Sequence, residues 1–217
     1  MLLHIIRHGD PDYEHNTITP FGHKEAQALA KWFNEKHVKF DRIYTSPLGR
    51  AKDTAAYTCE AQNITPKVLP WTEESMEYMQ PFNADSPLSF TVNKNGVENY
   101  IDFADHDRSE ILNTLMTQSD AFLKELGYER CGSHYRILNH NQERVAVFCH
   151  GGFGAAWTAY LLGMAPTLGF PSMFMTTTSV TTFEFRPIGD SEYTKPRMLR
   201  FDDVSHLHAA GLADDRI

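Results

Sequence analysis

The chain opens Met1-Leu2-Leu3-His4-Ile5-Ile6-Arg7-His8-Gly9. Residues 2–6 read as a buried β-strand. The apolar run is too short for the core of a secretory leader, carries no basic flank before it and reaches Arg7 at once. Beyond it, Pro11, Asp12, Asn16 and Thr17 mark a turn-rich stretch, and Thr19-Pro20 supplies a helix N-cap followed by proline at the first helical position. Ala26, Leu29, Ala30 and Phe33 then fall at i, i+3, i+4 and i+7, one buried stripe ending near His37. Residues 39–45 form a second strand. Ser46-Pro47 repeats the cap-and-proline start for a helix turning Ala51, Ala55 and Cys59 inward, and residues 67–71 form a third strand. This alternation predicts an α/β fold, a mostly parallel central sheet flanked by helices on both faces.

The periodicity stops after the third strand. Residues 73–106 are punctuated by Pro81, Asn83, Pro87, Asn93 and Gly96 yet rich in aromatics, which predicts a lid-like insertion rather than a linker; Tyr78, Phe82 and Phe90 are its candidate lid residues. Asp107 then opens a helix with a stripe of Ile111, Leu112, Leu115, Met116, Phe122, Leu123 and Leu126, closed by Gly127. Residues 144–149, Arg-Val-Ala-Val-Phe-Cys, form a central strand that runs straight into His150-Gly151-Gly152 and a helix over 153–162. Residues 176–185 are β-rich, and 198–201 add an edge strand. No repeat or composition shift demands a second domain, so residues 1–217 read as one.

The 217 residues carry 20 Lys+Arg against 28 Asp+Glu, a formal charge of −8. That balance argues against a binder of nucleic acid or anionic membrane held by counterion release. No window reaches the roughly 20 apolar residues needed to span a bilayer. Three scattered cysteines, Cys59, Cys131 and Cys149, form neither a disulfide framework nor a metal pair, which fits a reducing, cytoplasmic setting.

The chemistry collects at strand ends. In open parallel sheets ligands bind beyond the carboxyl ends of the strands, and those ends carry Arg7-His8-Gly9, Ser46 to Arg50, Glu73-Glu74 and His150-Gly151-Gly152. Two arginines and two histidines on one edge suit an anionic, tetrahedral group, because guanidinium forks bind phosphate oxygens bidentately. Free N–H groups at the start of the helix after Gly151 would add donors. The glycines after His150 do not complete a dinucleotide fingerprint, since its last position is Trp157. No Walker lysine and no Gly-x-Ser-x-Gly is present. His206-Leu207-His208 reads as ordinary polar tail rather than a metal pair.

Arg7-His8-Gly9, Ile18-Thr19-Pro20-Phe21-Gly22 with Glu25-Ala26, Ser46-Pro47-Leu48-Gly49-Arg50-Ala51 with Thr54-Ala55, and Cys149-His150-Gly151-Gly152 stand in the order seen in the histidine phosphatase superfamily. The chain resembles these phosphoglycerate-mutase-like proteins from residue 2 to about 155. The resemblance implies that His8 is the nucleophile, that Arg7 and Arg50 clamp the phosphoryl group with Gly151 beside them, and that His150 is the pocket's second histidine. It implies a carboxylate acid–base after the third strand, best matched by Glu73 with Glu74 as runner-up. It also implies no cofactor, no metal, and a small phosphorylated metabolite as partner.

Two features depart from the family pattern. Asp10-Pro11 stands where Glu-Thr often follows Arg-His-Gly, and Ser75-Met76-Glu77-Tyr78-Met79 replaces the common Gly-x-Trp-Glu-Gly. Both favour phosphate monoester hydrolysis through a phosphohistidine over a dedicated phosphoglycerate-type phosphomutase. A non-catalytic binder of phosphorylated ligands is the third reading.

Overall fold

The computed structural model describes residues 1–78, 92–93, 96–97, 110–166 and 169–213. The strands are β1 (Leu2–Arg7), β2 (Pro11–Asp12), β3 (Thr17–Ile18), β4 (Arg42–Thr45), β5 (Lys67–Val68), β6 (Val92–Asn93), β7 (Gly96–Val97), β8 (Tyr128–Cys131), β9 (His134–Ile137), β10 (Arg144–Cys149), β11 (Val180–Glu184), β12 (Tyr193–Thr194) and β13 (Arg197–Asp203). The helices are α1 (Pro20–Glu35), α2 (Gly49–Gln62), α3 (Glu110–Glu125), α4 (Gly151–Leu161), α5 (Gly169–Ser172) and α6 (Ser205–Ala210).

Six strands form the main sheet in the order β13-β11-β1-β10-β4-β5. β1, β10, β4 and β5 run parallel, and β11 and β13 add an antiparallel edge. Alternation along the central strands sends Leu3 and Ile5 of β1, with Val145 and Val147 of β10, to the face covered by α3 and α4. Ile6, Ala146 and Phe148 face the other way, against Leu29 and Phe33 of α1 and Ala55 and Cys59 of α2. Because both faces are covered, β10 reads as an unbroken apolar run rather than an alternating one.

Several local expectations hold. Thr19 caps α1, its side chain accepting the Gly22 N–H, and Pro20 occupies the first turn. The edge strand expected over 198–201 lies within β13. Others are corrected. α2 starts at Gly49 and not at Pro47, with Leu48, whose side chain holds no polar atom, at its N-cap position and so no side-chain cap. The third strand is only Lys67–Val68, since Pro70 turns the chain into a 3-10 turn over Pro70–Thr72. A small sheet of β12, β9 and β8 follows α3, a segment without strong alternation in sequence. His206 and His208 sit on helix α6, with His206 buried and Nε2 2.8 Å from the Thr178 hydroxyl. Tyr78 is no lid residue. It is buried in the core against Phe153, ring centroids 5.8 Å apart. Phe82, Phe90 and the helix start at Asp107 lie outside the described residues.

Candidate active site

Three parallel strands end side by side, and the residues after them cluster at one edge of the sheet, His8 lining a pocket and His150 and Ser46 buried behind it. β1 delivers His8, β4 delivers Ser46, and β10, between them, delivers His150. Arg50 comes from the first turn of α2. The resulting cavity, about 430 Å³, is lined by Arg7, His8, Tyr13, Arg50, Glu74, Gly151, Gly152 and Met175, together with Met76, Phe170, Met173 and Phe174.

His8 is nearly inaccessible, and its Nδ1 lies 2.7 Å from the carbonyl oxygen of Gly9. A neutral imidazole in that position donates from Nδ1 and keeps Nε2 as a bare lone pair. Burial, with lesser effects of Arg7 and Arg50, pushes the His8 pKa down to about 3 against the opposing Gly9 hydrogen bond. The backbone here is pinned by Thr54, whose hydroxyl accepts the Gly9 N–H at 2.9 Å and donates to the Arg50 carbonyl at 2.7 Å.

His150 packs against His8 with ring centroids 5.2 Å apart. Its Nε2 is 2.7 Å from Ser46 Oγ, which itself accepts the Leu48 N–H at 3.3 Å. A Ser46 hydroxyl that donates to Nε2 leaves the His150 proton on Nδ1, and one that accepts from Nε2–H leaves Nδ1 bare. Burial, then the neighbouring His8 and the two arginines, lowers its pKa to about 2. Nδ1 of His150, Nε of Arg7 and Nε of Arg50 are all buried without a hydrogen-bond partner. Unpaired nitrogens on three side chains gathered about His8 suit a site shaped for a multi-oxygen anion.

Arg7 donates through Nη1 to the Met175 carbonyl and lies under the Phe174 ring, 5.8 Å from its centroid. Arg50 donates to Asn16 Oδ1 at 3.3 Å and lies 5.4 Å from the Tyr13 ring. Asp53, the carboxylate one turn along α2, is engaged instead by the Thr17 hydroxyl. The loop carrying Tyr13 and Asn16 reaches Arg50 because residue 49 is glycine: a Cβ there would stand 2.0 Å from the Asn16 carbonyl oxygen.

The carboxylate in the pocket is Glu74, and this replaces Glu73, which is exposed. Trp71 anchors the preceding turn in the core, 5.2 Å from Trp157, and Tyr78 anchors the following one, so residues 73–77 are held over the start of α4. There Glu74 accepts the N–H groups of Gly152 and Phe153, each at 2.9 Å. Those amides are therefore taken by a protein carboxylate and are not the phosphate donors that the sequence suggested. Gly152 makes the fit possible, since a Cβ would meet Glu74 Oε1 at 2.9 Å. Gly151 lies against Arg7. Burial raises the Glu74 pKa, opposed by the hydrogen bonds from Gly152, Phe153 and Ser75.

Sequence reasoning thus named Arg7, His8, Arg50, His150 and Gly151, all of which the fold brings together, and passed over Tyr13, Ser46 and the 170–175 segment. Ser46 stood at a strand end like the two histidines, a usable signal. Phe170, Met173 and Phe174 fall in the short helix α5 and just beyond it, where no long apolar stripe singles them out. Among the described residues no group of three or more His, Cys, Asp or Glu side chains could hold a metal ion, and no helix is long and apolar enough to cross a membrane.

No curated protein matches the sequence. Among solved structures, a phosphoserine phosphatase variant from Entamoeba histolytica in complex with phosphoserine is 21% identical, TM-score 0.64, over 95% of this chain and 98% of that one. Bacillus stearothermophilus YhfR is 18% identical with TM-score 0.62, over 95% and 98%. A mycobacterial glucosyl-3-phosphoglycerate phosphatase complexed with VO3 is 18% identical with TM-score 0.58, over 93% and 98%. Residues 3–80 match the model of the histidine phosphatase superfamily (branch 1). The chain therefore carries the histidine phosphatase superfamily signature in the segment that holds His8 and Arg50, and the phosphoglycerate-mutase-like fold over nearly its whole length.

Proposed function

We propose that the protein hydrolyses phosphate monoesters without a metal, through a phosphohistidine at His8. The observation that carries this reading is the buried His8 imidazole, Nδ1 against the Gly9 carbonyl oxygen, beside the unpaired side-chain nitrogens of Arg7, Arg50 and His150. In the first step Nε2 attacks phosphorus, the P–O bond to the leaving group breaks, and protonated Glu74 gives its proton to the departing oxygen. The charge spread over the three equatorial oxygens is met by Arg7, Arg50 and Nδ1–H of His150, fixed before the reaction starts. In the second step ionised Glu74 takes a proton from water, the water oxygen attacks phosphorus, the P–N bond breaks, and phosphate leaves neutral His8 behind. A buried carboxyl with a raised pKa is suited to both states near neutrality.

Turnover of p-nitrophenyl phosphate in EDTA tests the reading. Phosphate release is expected from the native protein and none from His8→Ala; undiminished release by that variant would overturn it. With 3-phosphoglycerate, a hydrolase yields free phosphate where a mutase yields an isomer.

A further inference from the structure

We infer that the leaving group this site accepts is flat and apolar, an aryl or arylalkyl alcohol, and not a carboxylate-bearing or polyhydroxy one. The inference rests on the phosphatase reading and concerns the half of the pocket that holds the alcohol rather than the phosphoryl group. That half is walled by Tyr13, Met76, Phe170, Met173 and Phe174. Three of these are far more exposed than apolar side chains of their size ordinarily are: Met76 at 74%, Phe174 at 72% and Tyr13 at 67%. They are not scattered, but share one cavity with His8, which a chance distribution of surface apolar groups does not produce. Two of the rings flank the phosphate-facing guanidiniums, Phe174 beside Arg7 and Tyr13 beside Arg50. A phosphoryl group held between those arginines therefore lies beside two aromatic rings. Methionines complete the wall, and thioethers adapt to a ring and contact its edge favourably.

Charge points the same way. Among the described residues lining this cavity, the cations are Arg7 and Arg50, both committed to the phosphoryl oxygens, and the remaining charge is the Glu74 carboxylate. A second anionic group on the substrate would meet that carboxylate and, among the described lining residues, no further cation, and hydroxyl groups would lose water to Met and Phe side chains that return no hydrogen bond. A phenyl ring loses nothing and removes its own apolar surface, and that of the wall, from water.

The test compares 2-phenylethyl phosphate with ethyl phosphate, whose leaving alcohols are nearly equal in acidity, so that chemistry does not set the ratio. O-phosphoserine and 3-phosphoglycerate serve as charged esters. The native protein is expected to favour 2-phenylethyl over ethyl phosphate in kcat/KM on the order of tenfold or more, and to turn over both charged esters more slowly than the phenylethyl ester. Phe174→Ala and Met76→Ala should bring the ratio down several-fold, and Phe174→Leu should restore part of it. The ratio is unaffected by any general weakening of Arg7, which would slow both esters alike. A native ratio near one, faster turnover of a charged ester, or a ratio unmoved by the rim variants would overturn the inference and leave the phosphatase reading standing. No His8-dependent hydrolysis of any ester would overturn both.

Discussion

Glu74 and Gly152 are joined across the pocket floor, the carboxylate Oε2 lying 2.9 Å from the glycine amide nitrogen. The contact fixes where the Glu74 carboxylate stands, its other oxygen being held by the Phe153 N–H. Glu74→Gln is expected to lower kcat by about 10²- to 10⁴-fold on an alkyl phosphate. The loss should be much smaller on p-nitrophenyl phosphate, whose leaving group departs without a proton. Glu73→Gln should stay near native on both. Steady-state rates on the two substrates decide it, and equal losses for both Glu74→Gln reactions would remove the proton donor from the account.

Ser46 Oγ is in hydrogen-bond contact with Nε2 of His150. A hydroxyl that donates there holds the imidazole proton on Nδ1, the state in which His150 can donate to a phosphoryl oxygen. Ser46→Ala frees the other tautomer and should lower kcat about tenfold with a smaller change in stability, since one hydrogen bond is worth about 1 kcal/mol. Nitrogen NMR of His150 in the two proteins reads the tautomer directly.

Stability should fall in mild acid. His4, His8, His150 and His206 are all pushed down by burial, to about 4, 3, 2 and 4. Between those values and about 6.5 the unfolded chain binds protons that the folded one does not, so the unfolding free energy rises with pH up to about 6.5 and levels off above it. Glu25 and Glu74, raised by burial, act oppositely, favouring the fold as pH falls toward 4.5. Four histidines outweigh two carboxylates. The urea midpoint should be lower at pH 5 than at pH 7 at unchanged m-value, corresponding to a loss of unfolding free energy on the order of a few kcal/mol. A midpoint equal or higher at pH 5 would contradict the buried neutral state of these rings.

Gly49→Ala should push the loop of Tyr13 and Asn16 away from Arg50. A methyl 2.0 Å from the Asn16 carbonyl oxygen cannot be absorbed by a side-chain rotation, because the obstacle is backbone. Overpacking of this kind costs about 1–3 kcal/mol. Thermal unfolding should show that loss together with a raised KM. An unchanged KM would mean that Asn16 does not orient Arg50.

The parts of the site written in local pattern were legible before any coordinates. Arg7, His8 and His150 follow apolar strands directly, and the ends of parallel strands must lie on one edge of the sheet. Thr19-Pro20 fixed the start of α1 because capping is local chemistry. Glu74 was not separable from Glu73, since the choice depends on which one a 3-10 turn swings toward the amides of α4, and that turn is set by Trp71 in the distant core. Tyr78 misled because aromatic richness in an irregular segment does not distinguish a ring that covers a ligand from one that anchors the chain. Strands β8, β9 and β12 escaped for lack of alternation: Arg130 and Arg136 on them face Asp120 and Glu129 as ion pairs rather than marking a clean polar face.

The most direct test of the central claim is to quench the protein with base during turnover and locate phosphorus by mass spectrometry. The account predicts a phosphoryl group on His8 Nε2 that survives alkali, is lost in acid and is absent from His8→Ala. A protein that hydrolyses phosphate monoesters with no phosphorylated His8 at any quench time, or that carries the group on another residue, would contradict it.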